Sequence, residues 1–247
     1  MPLPFIVSLN MPPSLPQSSS VLPPLSLYIH VPWCVRKCPY CDFNSHATDG
    51  GEAIPEALYL NALLSDLATE LATVSGRTLH SIFFGGGTPS LMSAAGIGEI
   101  LTFVKANITC ESNMEVTLEA NPGTFEQMKF AGFLEQGVNR LSIGVQSFDD
   151  QCLNALGRIH SAGQAKLAIS KAQSLGFKRI NIDLMHGLPG QNLKQGLADL
   201  DQALDFGTDH LSWYQLTIEP NTEFHSRPPN LPNEDILSEI QDQGQLL

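Results

Sequence analysis

HVPWCVRKCPYC, residues 30–41, places three cysteines in one short segment at the spacing C-x3-C-x2-C. It follows Leu25–Val31, a run of aromatic and branched residues that predicts a strand. Three thiolates in one tight loop can bind three irons of a cubane iron–sulfur cluster and leave the fourth iron open. The sequence therefore predicts that Cys34, Cys38 and Cys41 hold a 4Fe–4S cluster just after the first strand.

Two other kinds of site also use closely spaced cysteines. A structural zinc site usually takes four ligands in paired spacings, and His46 would be an unusual fourth ligand so soon after Cys41. A redox-active C-x-x-C pair would leave Cys34 without a role. The cluster is favoured over both. Cys110 and Cys152 stand alone in the sequence and are interpreted as unreactive buried thiols.

The rest of the chain alternates between strand and helix patterns. Strands are predicted at Leu25–Val31, Leu79–Phe84, Asn113–Glu119, Val138–Val145, Lys178–Leu184 and Asp209–Thr217. Helices are predicted at Ile54–Val74, Ser93–Ala106, Thr124–Gln136, in the segment ending at Leu175, and at Asn192–Phe206. Six successive βα units predict an α/β fold with a parallel sheet curled into a partial (β/α)6 TIM-like barrel.

Polar residues alternate with apolar ones along the third, fourth and fifth predicted strands. If the apolar set packs on the outer helices, the polar set faces the barrel interior. This inner set is Glu115, Thr117, Glu119, Ser142, Gly144, Gln146, Asn181 and Asp183. A closed barrel is filled by bulky branched side chains, so small and polar residues here predict a hydrated cavity that binds a ligand.

Composition excludes some classes of function. The net charge is −12, without the basic footprint of a nucleic-acid-binding protein. No apolar run approaches the length of a membrane span. Residues 1–24 are uncharged and proline-rich, which does not fit a secretory signal. We expect a cytoplasmic protein whose residues 1–24 form a disordered N-terminal arm.

The cysteine spacing, the GGGTP segment at residues 85–89 and the six βα units together resemble the radical S-adenosylmethionine superfamily. Within it, YIHVP at 28–32 and CPYCDF at 38–43 resemble the oxygen-independent coproporphyrinogen III oxidase family, over about residues 25–225. The resemblance implies a partial barrel of the radical-SAM type, in which the open iron of the cluster binds S-adenosylmethionine.

The resemblance also implies which residues contact S-adenosylmethionine. They are Tyr28, Tyr40, Gly86, Gly87, Thr88, Glu119, Gln146, Arg158 and Asp183. Glu119 matches a ribose-or-amine ligand, and Arg158 a cation suited to a carboxylate. Tyr28 could instead be an ordinary strand aromatic, and Arg158 a solvated charge at a helix end.

One departure from the family pattern points to a branch. The oxidases carry a fourth cysteine two residues after the third, where this chain has Phe43. The segment resembles the HemW-type branch, which implies a heme chaperone that binds the cluster, S-adenosylmethionine and heme. Its implied partners are heme-acceptor proteins, membrane-associated ones among them, and an electron donor such as flavodoxin. The alternative is a coproporphyrinogen III oxidase using a 5′-deoxyadenosyl radical, against which Phe43 argues.

A heme iron ligand cannot be chosen from the sequence. The candidates are His30, His46, His160, His186 and His225, whereas His80 and His210 begin strands at the opposite end of the barrel. Family members continue past the sixth strand into a further domain. We therefore expect a barrel core over residues 25–227, and over 228–247 a linker and the start of a truncated C-terminal domain.

Overall fold

The computed structural model describes residues 22–48 and 53–247. All but the last three residues of the predicted N-terminal arm lie outside this range. The strands are β1 (Leu25–Val31), β2 (Trp33–Cys34), β3 (His46–Ala47), β4 (Leu79–Gly86), β5 (Cys110–Ala120), β6 (Arg140–Gln146), β7 (Arg179–His186) and β8 (His210–Gln215). The helices are α1 (Glu56–Thr73), α2 (Ala94–Asn107), α3 (Thr124–Gln136), α4 (Asp150–Ala155), α5 (Ala162–Leu175), α6 (Leu193–Leu204), α7 (Glu223–Ser226) and α8 (Glu234–Gly244).

Six strands form a single parallel sheet in the order β1-β4-β5-β6-β7-β8, so each pairs with the next main strand along the chain. Each of the five connections between these strands contains at least one helix, as parallel pairing requires a crossover. The predicted α/β class and six-stranded partial barrel are confirmed. All six predicted strands occur, with ends shifted by a few residues.

The predicted division of strand faces is also confirmed. Apolar residues of the central strands, such as Leu118, Ile143 and Ile182, are fully buried against the helices. From the helix side, Phe130 and Phe133 of α3 join the same core. The opposite faces of these strands line the barrel interior, so their polar residues lie at the site described below.

The long helical segment predicted before Leu175 is two helices, α4 and α5. Asp149 caps α4 by accepting hydrogen bonds from the Gln151 and Cys152 amides. Ser161 begins α5 with a capping box. Between them Gly157 adopts a positive φ of 69°, which glycine tolerates at no steric cost. The interruption turns the chain back towards the barrel and brings Arg158 to its interior.

The C-terminal helix α8 packs on the outside of the same barrel. Ile240 is fully buried and lies against Gly196 of α6. Gly244 lies against Trp213 of β8. The division into a 25–227 core and the start of another domain at 228–247 stays a prediction. Within the described ranges, no helix combines the length and apolar character needed to cross a bilayer.

Candidate functional site

A short parallel pair of strands closes the cysteine loop. β2 pairs with β3, so that Cys34 lies opposite Ala47, and the Thr48 amide donates to the Cys34 carbonyl at 2.8 Å. Inside the loop, the Cys41 amide donates to the Cys38 carbonyl at 3.1 Å. The loop therefore has a defined backbone conformation of its own, supplied by residues on both sides of the motif.

The three thiols lie around one cavity of about 490 Å³ at the carboxyl ends of the strands. Burial raises the pKa of the Cys41 thiol, and the neighbouring Cys38 and Cys34 add to this effect. Arg158 approaches from the other side and donates from Nη1 to the Cys38 sulfur at 3.4 Å. A cation beside a thiol favours the thiolate, which is the form that binds metal.

In the described part of the chain, no three His, Cys, Asp or Glu side chains are grouped as ligands of one metal ion. A cubane cluster makes a different demand, since each thiolate binds a separate iron. Three thiols distributed over one cavity wall, with Arg158 beside Cys38, therefore fit a cluster.

The glycine loop after β4 packs directly on the cysteine loop. The amides of Gly87 and Thr88 donate to the carbonyls of Val31 and Trp33, both at 2.7 Å. A Cβ on Gly87 would lie 2.5 Å from the Trp33 carbonyl oxygen. Gly86 has a φ of 110°. Gly87 therefore lines the cavity and also lets the cysteine loop approach closely.

Two carboxylates face each other in the cavity. Burial, then the charge of Asp183, raises the pKa of Glu119 to about 7, although a hydrogen bond with the Gly86 backbone opposes the rise. Burial raises the pKa of Asp183 too, against the hydrogen bonds that it receives from Ser142 and Asn181 at 2.9 and 2.7 Å. One side of the cavity thus offers two carboxyl groups as hydrogen-bond acceptors, of which Glu119 changes charge near pH 7.

Arg158 lines the cavity, as Arg36 does, and has several hydrogen-bond partners there. Besides Cys38, it donates from Nη2 to the Asn121 side-chain oxygen at 2.8 Å and to the Gly144 carbonyl at 2.9 Å. Its Nε is buried and without a hydrogen-bond partner among the described residues. Burial raises the pKa of the adjacent Tyr40 hydroxyl well above its usual range, although Arg158 opposes this, so the phenol stays neutral.

Gln146 ends β6 in an unusual conformation. Its φ is 68°, and the pairing of β6 with β7 shifts by one residue just before it. Its side-chain oxygen accepts a hydrogen bond from the Tyr214 hydroxyl at 2.9 Å. Non-glycine residues at positive φ are uncommon and cluster at functional sites.

Eight of the nine residues predicted to contact the cofactor line this cavity, together with all three motif cysteines. Tyr28 is the exception. Its side chain is 56% exposed and its hydroxyl donates to His30 Nδ1 at 3.1 Å. Burial and then Glu119 raise the Tyr28 pKa, which places the phenol near that carboxylate. The assignment of each residue to a cofactor atom stays a prediction.

Among the other residues that line the cavity, three are of interest and were not predicted as contacts. Asn121 lines the wall beside Arg158, Tyr214 lies opposite Gln146, and Phe43 stands at the mouth with 58% of its side chain exposed. Position along the strand could have identified Tyr214, since it lies two residues after the inward-facing Ser212 and so on the same face of β8. For Asn121 the sequence predicted only a turn, because Asn-Pro-Gly follows β5 at that point.

The candidate heme histidines are scattered. His30 is held between the Tyr28 hydroxyl and the Asn44 carbonyl. His160 is buried under the Val145 carbonyl with a pKa lowered to about 4, by burial and then by the nearby arginine. His186 is buried against Trp213. His46 and His225 are exposed. None lines the 490 Å³ cavity.

The two isolated cysteines are placed away from this cavity. Cys152 is buried, and burial followed by the charges of Asp149 and Asp199 raises its pKa to about 12. Cys110 is half-buried at the start of β5, and burial raises its pKa. Both therefore stay protonated near neutral pH, in agreement with their interpretation as unreactive thiols.

A six-stranded parallel half-barrel whose open end gathers three thiols, a glycine loop, an arginine and two carboxylates defines a cofactor-binding barrel protein. The family model of the Radical SAM superfamily matches residues 28–203, and the chain belongs to this superfamily. Membership implies a 4Fe–4S cluster and S-adenosylmethionine, which the residues around the cavity fit.

Relatives place the chain more closely. It is 55% identical over 230 residues to "Heme chaperone HemW" of Haemophilus influenzae, covering 92% of this chain and 60% of that protein. It is 39% identical to "Radical S-adenosyl methionine domain-containing protein 1, mitochondrial" of Mus musculus, covering 98% and 54%. The resemblance to the HemW-type branch is confirmed. The chain spans about 60% of the length of the HemW relative.

A solved structure is also similar. Coproporphyrinogen III oxidase (HemN) from Escherichia coli aligns with a TM-score of 0.80 and 27% identity, covering 89% of this chain and 51% of that one. The likeness therefore extends through nearly the whole barrel.

Proposed function

We propose that this chain is the cofactor-binding barrel of a heme chaperone of the radical-SAM type, which binds heme for delivery to acceptor proteins. The observation that carries the proposal is the 55% identity to a HemW chaperone over nearly the whole chain. Phe43 supports it, since the position that is cysteine in the related oxidases is here an exposed phenylalanine at the cavity mouth.

In this proposal the thiolates of Cys34, Cys38 and Cys41 hold the cluster. When bound, the cluster supplies an electron that can cleave the sulfonium of S-adenosylmethionine. Arg158 has donors suited to the carboxylate of that cofactor. Its Nη1 also donates a hydrogen bond to the Cys38 sulfur at 3.4 Å.

The other predicted contacts would orient the nucleoside. Glu119, Gln146 and Asp183 present side-chain oxygens along one wall of the cavity. Oxygen acceptors suit hydroxyl and ammonium donors, which S-adenosylmethionine carries on its ribose and methionine parts. Tyr40 adds a neutral aromatic side chain beside Arg158, because burial keeps its hydroxyl protonated.

The cluster is tested by anaerobic reconstitution, iron and sulfide analysis and electron paramagnetic resonance, with and without S-adenosylmethionine. Cys38→Ala should lose the cluster, whereas the control Cys110→Ser should keep it, since Cys110 lies away from the cavity. A spectrum that changes when S-adenosylmethionine is added supports an open iron. Zinc in place of iron, or a spectrum indifferent to the cofactor, contradicts the proposal.

Chaperone function is tested by titrating heme and following the Soret band, and by incubating the reconstituted protein with coproporphyrinogen III and reductant. We expect heme binding and no protoporphyrinogen IX. The second candidate, a porphyrinogen oxidase, is favoured by the 0.80 TM-score to HemN. Formation of protoporphyrinogen IX would establish the oxidase. Failure to bind heme would contradict the chaperone proposal.

The proposal includes heme-acceptor proteins as partners, membrane-associated ones among them, an electron donor such as flavodoxin, and a cytoplasmic location. The net charge of −12 supports the exclusion of nucleic acid. Co-purification of a tagged chain from cell lysate, followed by heme transfer to the captured proteins, tests the partner class.

A further inference from the structure

Asn121 connects two parts of the cavity wall that come from distant segments. It follows β5 directly and lies between the glycine loop after β4 and the turn after α4. Its Nδ2 donates to Thr88 Oγ1 at 3.1 Å, and its Oδ1 accepts from Arg158 Nη2 at 2.8 Å. Both ends of the carboxamide are therefore used. Asn121, Thr88 and Arg158 all line the cavity.

The orientation of this carboxamide follows from chemistry. A guanidinium has only donors, so the Asn121 atom that faces Arg158 must be the oxygen. The NH2 group must then face Thr88. An NH2 group only donates, so the Thr88 hydroxyl oxygen is an acceptor in this contact. The hydroxyl hydrogen of Thr88 is thus not committed to Asn121.

The direction left to that hydrogen is limited. Thr88 is 3% exposed, so its hydroxyl has little contact with bulk solvent. Its backbone amide is already bound to the Trp33 carbonyl, which holds the residue in place. A buried hydroxyl hydrogen needs an acceptor. The acceptor-bearing group that shares this wall with Arg158 would be a carboxylate of the ligand.

We propose that Asn121 is a positioning residue that sets the hydrogen-bond polarity of Thr88, so that Thr88 donates to the same ligand carboxylate that Arg158 attracts. The inference rests on the proposed binding of S-adenosylmethionine, whose methionine part carries that carboxylate. The predicted contacts did not include Asn121 and did not say whether the Thr88 hydroxyl donates or accepts.

The distinguishing variant is Asn121→Asp, which keeps the size of the side chain. An aspartate oxygen would face Thr88 as an acceptor, and the Thr88 hydroxyl would turn to donate to it. The ligand would lose one donor. Removing a single hydrogen bond of about 1–1.5 kcal/mol corresponds to about tenfold weaker binding.

The experiment is isothermal titration of S-adenosylmethionine into anaerobically reconstituted protein, in a double-mutant cycle. Thr88→Val should weaken binding about tenfold, and Asn121→Asp should weaken it at least as much, because its carboxylate also lies beside Arg158. In the Asn121→Asp background, Thr88→Val should weaken binding no further. Thr88→Ser, which keeps the hydroxyl, should bind more tightly than Thr88→Val. The control Asn107→Asp makes the same charge change at the exposed last residue of α2 and should leave binding unchanged.

The paramagnetic spectrum of the reduced cluster provides a second readout. Without S-adenosylmethionine, Asn121→Asp should match the wild type, which shows an intact cluster loop. Effects that multiply in the double variant would mean that Asn121 acts through Arg158 alone, and would overturn the inference. So would wild-type affinity in Asn121→Asp. A wild type that binds no S-adenosylmethionine would overturn the proposed function itself, and the inference with it.

Discussion

Glu119→Gln should make the apoprotein more stable, and the gain should depend on pH. The Glu119 carboxyl has a pKa raised from an ordinary 4.5 to about 7, chiefly by burial and then by Asp183. A glutamine of the same shape has no charge to bury. The cavity would therefore no longer contain two carboxylates that repel each other near neutral pH.

The sign follows from proton linkage. Between pH 4.5 and about 7 the folded state keeps the Glu119 proton, whereas the unfolded chain releases it. The wild type therefore loses stability as pH rises through this window, and the loss is complete above it. At about 1.4 kcal/mol per pH unit, the full window corresponds to about 3 kcal/mol. Glutamine does not titrate, so its advantage grows over the same range.

The assay is urea denaturation of both proteins from about pH 5.5 to about pH 8.5, which stays above the isoelectric point near 4.8. The gap in the free energy of unfolding should widen by about 2 kcal/mol across this range. Glu70 is exposed on α1. The control Glu70→Gln should therefore differ from the wild type by an amount that does not change with pH. A gap that is constant, or that narrows as pH rises, would refute the buried-carboxylate reasoning.

Three further changes test packing and reactivity. Gly87→Ala should destabilise the apoprotein by about 1–3 kcal/mol, since its Cβ would lie 2.5 Å from a backbone carbonyl oxygen. The control Gly163→Ala should not destabilise it, because the nearest atom to its Cβ would be 3.7 Å away. Equal urea midpoints for Gly87→Ala and the wild type would contradict this prediction. Ile240→Ala should cost about 2–5 kcal/mol if α8 is integral to the barrel, because Ile240 is fully buried, whereas Leu246→Ala at 85% exposure should cost nothing measurable. Cys152, with a pKa near 12, should resist iodoacetamide in native protein at neutral pH and react in urea, as followed by mass spectrometry.

The strand positions and much of the cavity were predictable because both follow from local patterns. Alternation of polar and apolar residues along a strand has a period of two, so it assigns faces without knowledge of the neighbours. Glu119 and Asp183 were identified as inward-facing in this way, and both line the cavity. The cysteine spacing is likewise a local pattern whose chemistry is specific.

Other features depended on contacts between distant segments. The pairing of β2 with β3 across the cysteine loop has no strong signal in such short strands. The break between α4 and α5 was missed, although Gly157 and the capping box at Ser161 are local signals of a helix end and a helix start. Asn121 looked like an ordinary turn residue, and its role becomes visible only when Thr88 and Arg158 are brought to its two ends.

The amino-acid sequence by itself determined the superfamily, the parallel barrel and the identity of most residues that face its interior, because spacing and periodicity are properties of neighbouring residues. Only the tertiary structure decided the electrostatics of the cavity. The pKa of Glu119 depends on burial and on Asp183, which lies on a different strand. Burial and the distance between two charges depend on residues that are far apart in the sequence, so no local pattern in the chain can show them.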